Sequence, residues 1–339
     1  MLKPIAVSRT ISRLRLPFLC LLLFVSSAFA PARAADPAAG PASMPRVLQT
    51  DDNWQIYITY FPAPGDREAF TKEAPVVMLL HGDKQVRLVY EGPRGLAPRL
   101  QAQGCAVITV DLRKHGQSTN VALGGGSAPS GKTTEATIQA SDYRNMVDFD
   151  LEAVKRFIQQ QHQAKKLNMR KLGIVAAGSS AVVAAAFAAA DWNKEPYDDA
   201  AAEDMKTPRG QDVRALVFLS PPSRVKGLSL TEALNEIRNP DWNIAFLTIY
   251  GKANKTDAKD AQALHKRLVG SSKAGRDPSK DPTKDRIYLR DINVPSRGTD
   301  LLGMREIDTE AAIIKFFKLH LFDLRDSEWR DRQSRLVRK

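Results

Sequence analysis

Residues 75–82 read PVVMLLHG, a short and continuously apolar run that ends in a histidine and a glycine. Residues 110–118 read VDLRKHGQS, and they close a second short apolar run. A strand that is apolar at every position is buried on both faces, which is typical of a parallel sheet covered by helices. The two segments therefore predict two buried strands of an α/β fold, each followed by a polar loop.

The rest of the chain repeats this alternation of apolar runs and helical patterns. Further strands are predicted at residues 54–60, 105–110, 171–177, 213–219, 244–250 and 286–289. Helices are predicted at residues 88–103, 146–161, 181–192, 257–268 and 309–321. This order favours an α/β fold with a mostly parallel sheet and helices on both faces, in one domain over residues 46–323. Three polar insertions, at 123–142, 193–212 and 270–285, are interpreted as surface loops.

Residues 1–34 have the pattern of a secretory signal peptide. Basic residues precede an apolar run from Leu16 to Ala30, and small-residue cleavage motifs end at Ala30 and Ala34. Cleavage after Ala34 is favoured because Pro31 would follow the other site. The run is shorter than the roughly 20 residues that a spanning helix needs, so we expect no stable membrane anchor after cleavage, with a retained anchor as the alternative. The protein is therefore expected to be secreted or periplasmic, with residues 35–45 as a flexible linker.

Charge and cysteine content restrict the classes of partner. The formal net charge is +12, but the basic residues are too dispersed to indicate nucleic-acid binding. Cys105 is the single cysteine outside the predicted signal peptide, which excludes an intramolecular disulfide in the mature chain. Residues 324–339 form a basic tail, which we interpret as a solvated helix end or, alternatively, as a contact for an acidic surface.

Taken together, the His-Gly pair at residues 81–82 and the DLRKHGQS segment at 111–118 resemble the alpha/beta-hydrolase superfamily. The resemblance extends over the region from Trp54 to Leu321. In that family the amide that follows His-Gly points at a developing oxyanion, which here implies an oxyanion loop at Gly82 and Asp83. The resemblance also implies a structural role for His81 and a packing role for His115.

The same loop contains two residues of opposite charge. Asp111 and Arg113 are separated by one residue. We expect them to hold the loop together through a charge-assisted hydrogen bond.

The resemblance implies a nucleophile elbow after the strand at 171–177, where the family has G-x-S-x-G. Residues 171–182 read KLGIVAAGSSAV, which keeps the small residues but not the consensus. Counting from the start of the strand puts Gly178 at the elbow position. A shift of one residue makes Ser179 the candidate nucleophile, whereas a shift to Ser180 puts Val182 where a small residue is needed. The count favours Gly178, and both serines are otherwise interpreted as caps of the next helix.

The positions of the family's acid and base are also altered. The acid position after the strand at 244–250 is Asn254, which cannot carry the charge that stabilises an imidazolium. Asp257 is the nearest substitute, but we interpret it as a helix N-cap. The loop at 291–303, where the family has its histidine, contains none. His115 is therefore the one candidate for a displaced base.

Other chemistries have weaker support. Residues 126–133 read GSAPSGKT and fit a phosphate-binding loop, but they follow no apolar strand and lie in a chain expected to be exported. No metal-ligand spacing is present, so neither a metal nor a cofactor is expected.

Two functions remain. The first is a secreted hydrolase-fold protein without a complete Ser-His-Asp triad, which binds a small molecule or protein at the carboxyl-terminal face of the sheet. The second is a serine esterase or acyl hydrolase that uses Ser179 with a non-standard base.

Overall fold

The computed structural model of the chain describes residues 40–119, 138–270, 286–304, 306–324 and 327–336. Its strands are β1 (Met44–Gln49), β2 (Gln55–Phe61), β3 (Pro75–Leu80), β4 (Ala106–Val110), β5 (Asn168–Ala177), β6 (Val213–Leu219), β7 (Arg224–Val225), β8 (Leu228–Ser229), β9 (Ala245–Gly251) and β10 (Ile287–Ile292). Eight of them form one sheet in the order β1-β2-β4-β3-β5-β6-β9-β10, and β7 pairs with β8 separately. β2 is antiparallel to β1 and β4, and the other neighbours in the large sheet are parallel. The predicted mostly parallel sheet is confirmed.

Eight α-helices are described, and they connect or flank the strands. They are α1 (Glu68–Thr71), α2 (Leu96–Ala102), α3 (Ala140–Asn145), α4 (Leu151–Gln163), α5 (Ser180–Trp192), α6 (Leu230–Ile237), α7 (Lys255–Gly270) and α8 (Thr309–Phe317). A π-helical turn joins α3 to α4, and a second one continues α8 to Phe322.

Alternate side chains of the strands separate the core into two layers. On β3, Val76, Met78 and Leu80 pack in the layer that contains α4 and α5. Val77 and Leu79 pack in the layer that contains α2 and α8. Full burial of such a side chain contributes about 1.5–3 kcal/mol, so both faces of the sheet require a helical cover. The two layers account for the continuous apolar runs in the sequence.

The first strand was not predicted from the sequence. Met44 and Pro45 fall within the predicted linker, but they belong to β1, where Met44 lies opposite Tyr60 of β2. β1 is an edge strand and its Val47 side chain is 50% exposed. A strand with so little buried surface needs no alternating apolar residues, so its sequence carries no strand pattern. Its position is defined by its pairing with β2.

Residues 327–336 pack against the domain, and the prediction of a solvated helix end is wrong for this described part of the tail. Residues 327–336 are irregular rather than helical. Trp329 stacks on His162 with ring centroids 4.9 Å apart. Arg332 is 3% exposed and donates to the Pro208 carbonyl at 3.0 Å. The basic side chain is held inside because buried acceptors surround it.

Some of the remaining sequence predictions fall on described residues, and others lie outside them. Residues 193–212 form a loop, as predicted, with a 3₁₀ turn at Glu203–Met205. The predicted signal peptide, the candidate phosphate loop at 126–133, residues 123–137 of the first insertion and residues 271–285 of the insertion at 270–285 lie outside the described residues. The first insertion was predicted to be a loop up to residue 142, but α3 begins at Ala140. Within the described ranges, no helix has both the length and the apolar character to cross a bilayer.

Candidate functional site

The candidate site lies where the carboxyl ends of β3 and β5 meet. β3 pairs with β4 on one side and with β5 on the other, so the chain order reverses at β3. In open parallel sheets such a reversal leaves a crevice beyond the strand ends, because the connections on the two sides diverge. The residues that follow β3 and β5 are His81-Gly82-Asp83 and Gly178-Ser179.

The turn between β5 and α5 is centred on Gly178. Gly178 has a φ of +54°, a left-handed conformation that β-carbons disfavour. Gly178 therefore lies at the strand-to-helix turn, where the count from the start of the strand puts it. A Cβ placed on Gly178 would lie 3.8 Å from Asp83 Oδ2 and 3.9 Å from the Gly82 Cα. The position where the family has its nucleophile therefore has no side chain, although there is room for one.

Ser179 lies one residue further on, with helical backbone angles, and its hydroxyl is bound to a carboxylate. Ser179 Oγ donates to Asp83 Oδ1 at 2.5 Å. The Tyr143 side chain lies close enough to Ser179 and Asp83 for both to affect its ionisation. Burial, followed by the negative charge of Asp83, raises the pKa of Tyr143. These three side chains, which we call the elbow trio, come from α3 and from the loops after β3 and β5.

Ser180 has a structural role. It is 1% exposed, and its Oγ lies 2.9 Å from the Ala177 carbonyl and 3.1 Å from the Leu80 carbonyl. It also accepts from the Ala177 amide at 3.1 Å. The hydroxyl thus joins the ends of β3 and β5, which explains why a polar group is buried there.

The predicted oxyanion loop is occupied by polar side chains. The Gly82 amide donates to Gln85 Oε1 at 3.1 Å, and Thr299 Oγ1 donates to the same oxygen at 2.6 Å. The Asp83 carboxylate stands beside the elbow, at the distances given above. A negative charge there opposes a developing oxyanion, which requires hydrogen-bond donors.

His115, the candidate displaced base, contacts groups other than the Ser179 hydroxyl. Its Nδ1 lies 3.0 Å from the Arg113 carbonyl, and its ring centroid lies 4.7 Å from that of His81. His81 Nδ1 donates to the Gly82 carbonyl at 2.8 Å, while its Nε2 accepts from the Leu112 amide at 3.3 Å. Burial and the adjacent His115 lower the pKa of His81 to about 4. His81 is therefore a neutral histidine that links two loops.

Asn254, which stands at the position of the family's catalytic acid, caps a helix. Asn254 Oδ1 accepts from the Asp257 amide at 3.2 Å, which makes Asn254 the N-cap of α7. The prediction that Asp257 is the cap is wrong, because α7 begins at Lys255 and its cap lies three residues before Asp257. Asp257 Oδ1 instead accepts from Arg297 at 2.9 Å.

In the loop after β10, the residue that lies next to the elbow is a glycine. Gly298 has a φ of +55°, and a Cβ placed on it would lie 3.8 Å from the Ala177 Cβ and 4.0 Å from the Gly178 nitrogen. No histidine lies in this loop, which falls within the fully described range 286–304. The position nearest to the elbow therefore offers no base.

Asp111 and Arg113 do not pair with each other, which corrects the prediction. Asp111 pairs with Arg87, and its Oδ1 also accepts from the Arg87 amide at 2.7 Å. Arg113 pairs with Asp150 at 2.6 Å and with Asp52 at 2.8 Å. These partners are distant in sequence, so a spacing argument could not identify them. The three ion pairs fix the loop that follows β4.

Metal ligation has no support in the described residues, which contain no group of three or more histidine, cysteine or acidic side chains arranged to hold a metal ion. Cys105 is buried, and burial raises the pKa of its thiol to about 12. The thiol is therefore a packing group in the core rather than a nucleophile.

Comparison with solved structures identifies the architecture. No protein-family model matches the chain, and no curated protein matches it in sequence. An esterase from Pyrococcus furiosus superposes with a TM-score of 0.53 at 13% identity, over 83% of this chain and 92% of the esterase. A dienelactone hydrolase from Anabaena variabilis superposes with a TM-score of 0.52 at 14% identity, over 83% of this chain and 99% of the hydrolase. The strand order, the elbow at Gly178 and these superpositions agree, and the chain has the alpha/beta-hydrolase fold.

Proposed function

We propose that this chain is an exported hydrolase-fold protein that binds a ligand beyond the carboxyl ends of β3 and β5 and does not hydrolyse it through a serine triad. The observation that carries the proposal is Gly178, which occupies the elbow turn without a side chain. The acid and base positions support it, since Asn254 caps α7 and the loop after β10 has Gly298 next to the elbow. A nucleophilic hydroxyl without a base is unreactive at neutral pH.

The second candidate function is that of an esterase that uses Ser179. One observation favours it: the Ser179 hydroxyl donates to Asp83 at 2.5 Å, so a carboxylate is in place to accept its proton. Two observations oppose it. Ser179 lies past the turn, in helical geometry, and Asp83 places negative charge where the oxyanion would form.

Labelling with a serine-reactive fluorophosphonate distinguishes the two candidates. The mature protein should show no labelling and no hydrolysis of activated esters above the Ser179→Ala variant. Strong labelling that disappears in Ser179→Ala would overturn the non-catalytic proposal and favour the esterase. In that case Asp83→Asn and His115→Ala, measured side by side, would identify the base.

Export is the other part of the proposal. The basic and apolar segments of residues 1–34 support it. N-terminal sequencing of the exported protein should give Ala35 as the first residue. An intact Met1 in the recovered protein would contradict export by signal-peptide cleavage.

A further inference from the structure

We infer that a cleft between the ends of α5 and α6 binds an uncharged carbohydrate. The cleft, which we call the helix-end cleft, has a volume of about 420 Å³. This volume lies within the roughly 300–1,000 Å³ of small-molecule sites. One aromatic and five polar residues line most of it: Trp242, Asn193, Asn235, Glu236, Arg238 and Asn239.

The helix-end cleft lies at the opposite edge of the sheet from the elbow. α5 starts at the elbow and ends at Trp192, whose indole nitrogen donates to the Val213 carbonyl at the start of β6 at 2.8 Å. α6 ends shortly before β9 begins at Ala245. Both helices therefore end at the amino edge of the parallel strands. The inference is independent of the function proposed for the elbow.

Trp242 provides an aromatic surface of fixed orientation. Its ring stacks on that of Trp192, with centroids 5.2 Å apart and planes inclined by 13°. The Arg214 guanidinium in turn lies 4.9 Å from the Trp192 ring centroid. Trp192 is buried, whereas Trp242 is half-buried and lines the cleft. A half-exposed indole offers an apolar surface on which the C–H face of a sugar ring can pack.

The polar side chains of the cleft are held in place by one another and by α7. Asn193 Nδ2 donates to Glu236 Oε2 at 2.5 Å, and Arg267 of α7 donates to Asn235 Oδ1 at 2.7 Å. Asn193 Oδ1 and Glu236 Oε1 are left as acceptors, and Asn235 Nδ2 is left as a donor. None of these three atoms makes another hydrogen bond within the described part of the chain.

The charges of the cleft balance, which favours an uncharged ligand. Glu236 and Arg238 contribute one charge of each sign. Arg238 forms no ion pair with any described residue, so its guanidinium adds further donors. Sugar hydroxyls both donate and accept, and they therefore suit a mixed set of donors and acceptors.

The same polar groups oppose a purely aromatic ligand. A flat aromatic molecule could stack on Trp242, but it would cover the acceptors of Asn193 and Glu236 without replacing their hydrogen bonds to water. Covering polar groups in this way is unfavourable. A sugar ring combines an apolar face with hydroxyls around its edge, which matches one indole surrounded by polar side chains.

The test is a titration of the ¹⁵N-labelled protein with the methyl glycosides of glucose, galactose, mannose and N-acetylglucosamine, and with p-cresol as the aromatic probe. The amides of residues 193 and 235–239 and the Trp242 indole N–H report binding. At least one glycoside should shift these signals saturably, and p-cresol should not. Trp242→Ala should weaken glycoside binding about tenfold or more. Trp242→Phe should weaken it less, because an aromatic ring is kept.

Glu236→Gln and Glu232→Gln form a matched pair. Glu232 is exposed one turn earlier on α6, outside the cleft lining. Glu236→Gln should weaken glycoside binding, because hydroxyls donate more strongly to a carboxylate than to an amide, and Glu232→Gln should not. These variants and Trp242→Phe keep the test decisive if Trp242→Ala does not fold.

Three results would each overturn the inference. The first is that none of the glycosides gives a saturable shift at the helix-end cleft. The second is that p-cresol binds there more tightly than every glycoside. The third is that Glu236→Gln and Glu232→Gln have equal effects on glycoside binding.

Discussion

Arg332, near the end of the chain, forms a buried ion pair with Asp212, which immediately precedes β6. Their side chains are 3% and 0% exposed. Lys155 of α4 also pairs with Asp212, at 3.1 Å, and with Asp191 of α5. Burial opposes the charged form of Lys155, but Asp212 and Asp191 outweigh this effect and raise its pKa. The segment that contains Arg332 is thus joined to two helices and a central strand by charges that are almost fully buried.

Replacing Arg332 should destabilise the fold. In Arg332→Met the Asp212 carboxylate keeps Lys155 but loses its second cation inside the protein, and such a loss costs about 3 kcal/mol. The free energy of unfolding in urea measures the effect. Arg330→Met is the control, because that side chain is exposed, and it should change the value by less than about 0.5 kcal/mol. Equal effects of the two variants would contradict a specific role for the Arg332–Asp212 pair.

His320 should make the fold sensitive to acid. Burial, followed by the positive charge of Arg286, lowers the pKa of His320 to about 4. The unfolded chain takes up this proton near its ordinary pKa of roughly 6.5. Between these values the unfolded state binds more protons, so the free energy of unfolding falls as the pH drops from 6.5 to 4.

The expected loss due to His320 is about 2–3 kcal/mol over that interval. Urea denaturation as a function of pH should show a shallower slope for His320→Gln than for the parent. Tyr288→Phe separates the titration of His320 from the loss of its hydrogen bond. This variant removes the 3.2 Å hydrogen bond between Tyr288 and His320 Nε2 but keeps the titrating imidazole ring. An unchanged slope in His320→Gln would exclude this histidine as the source.

The fold was predictable because the central strands have strong local signals. β3 at 75–80 and β6 at 213–219 have the bounds that their apolar runs predict. β1 was not predicted, since half-exposed Val47 lies on an edge strand that is defined by its partner. The tail was misassigned because its basic composition indicates solvent, whereas the acceptors that bury Arg332 lie more than a hundred residues earlier.

The site was predictable in place but not in chemistry. Spacing from the start of the strand identified Gly178 as the turn residue, which is a local property of the backbone. The partner of Ser179 was missed because Asp83 lies 96 residues away and Tyr143 comes from a third segment. The family resemblance assigns a role only to the Asp83 amide, as a donor to an oxyanion, and none to its carboxylate. A negatively charged residue directly after His-Gly is the signal that could have indicated an altered oxyanion loop.

Ser180 and Ser179 should differ in their effects on stability. Ser180→Ala removes the hydroxyl that joins the ends of β3 and β5 and leaves the Ala177 amide without that partner, at a cost of about 1–3 kcal/mol. Ser179→Ala should cost less, because Asp83 is exposed and water can replace the hydroxyl. Thermal unfolding of the two variants measures the difference. A larger loss in Ser179→Ala would show that the elbow trio, rather than Ser180, holds the strand ends together.

Introducing a serine at the elbow, in the variant Gly178→Ser, should not produce hydrolytic activity. Gly178→Ser has room for the new Cβ, with its nearest neighbours at 3.8 and 3.9 Å. The left-handed φ of +54° should cost about 1–2 kcal/mol in stability. The introduced hydroxyl would face the Asp83 carboxylate, and the loop after β10 supplies Gly298 rather than a histidine.

We therefore expect Gly178→Ser to be folded, slightly less stable than the parent, and unlabelled by fluorophosphonate. Gly178→Ala is the matched control, since it carries the same backbone cost without a hydroxyl. The two variants should unfold at similar temperatures and should hydrolyse activated esters no faster than the parent. Labelling of Gly178→Ser but not of Gly178→Ala would mean that a base reaches the elbow after all. The missing nucleophile would then be the principal reason for inactivity, ahead of Asn254 and the histidine-free loop.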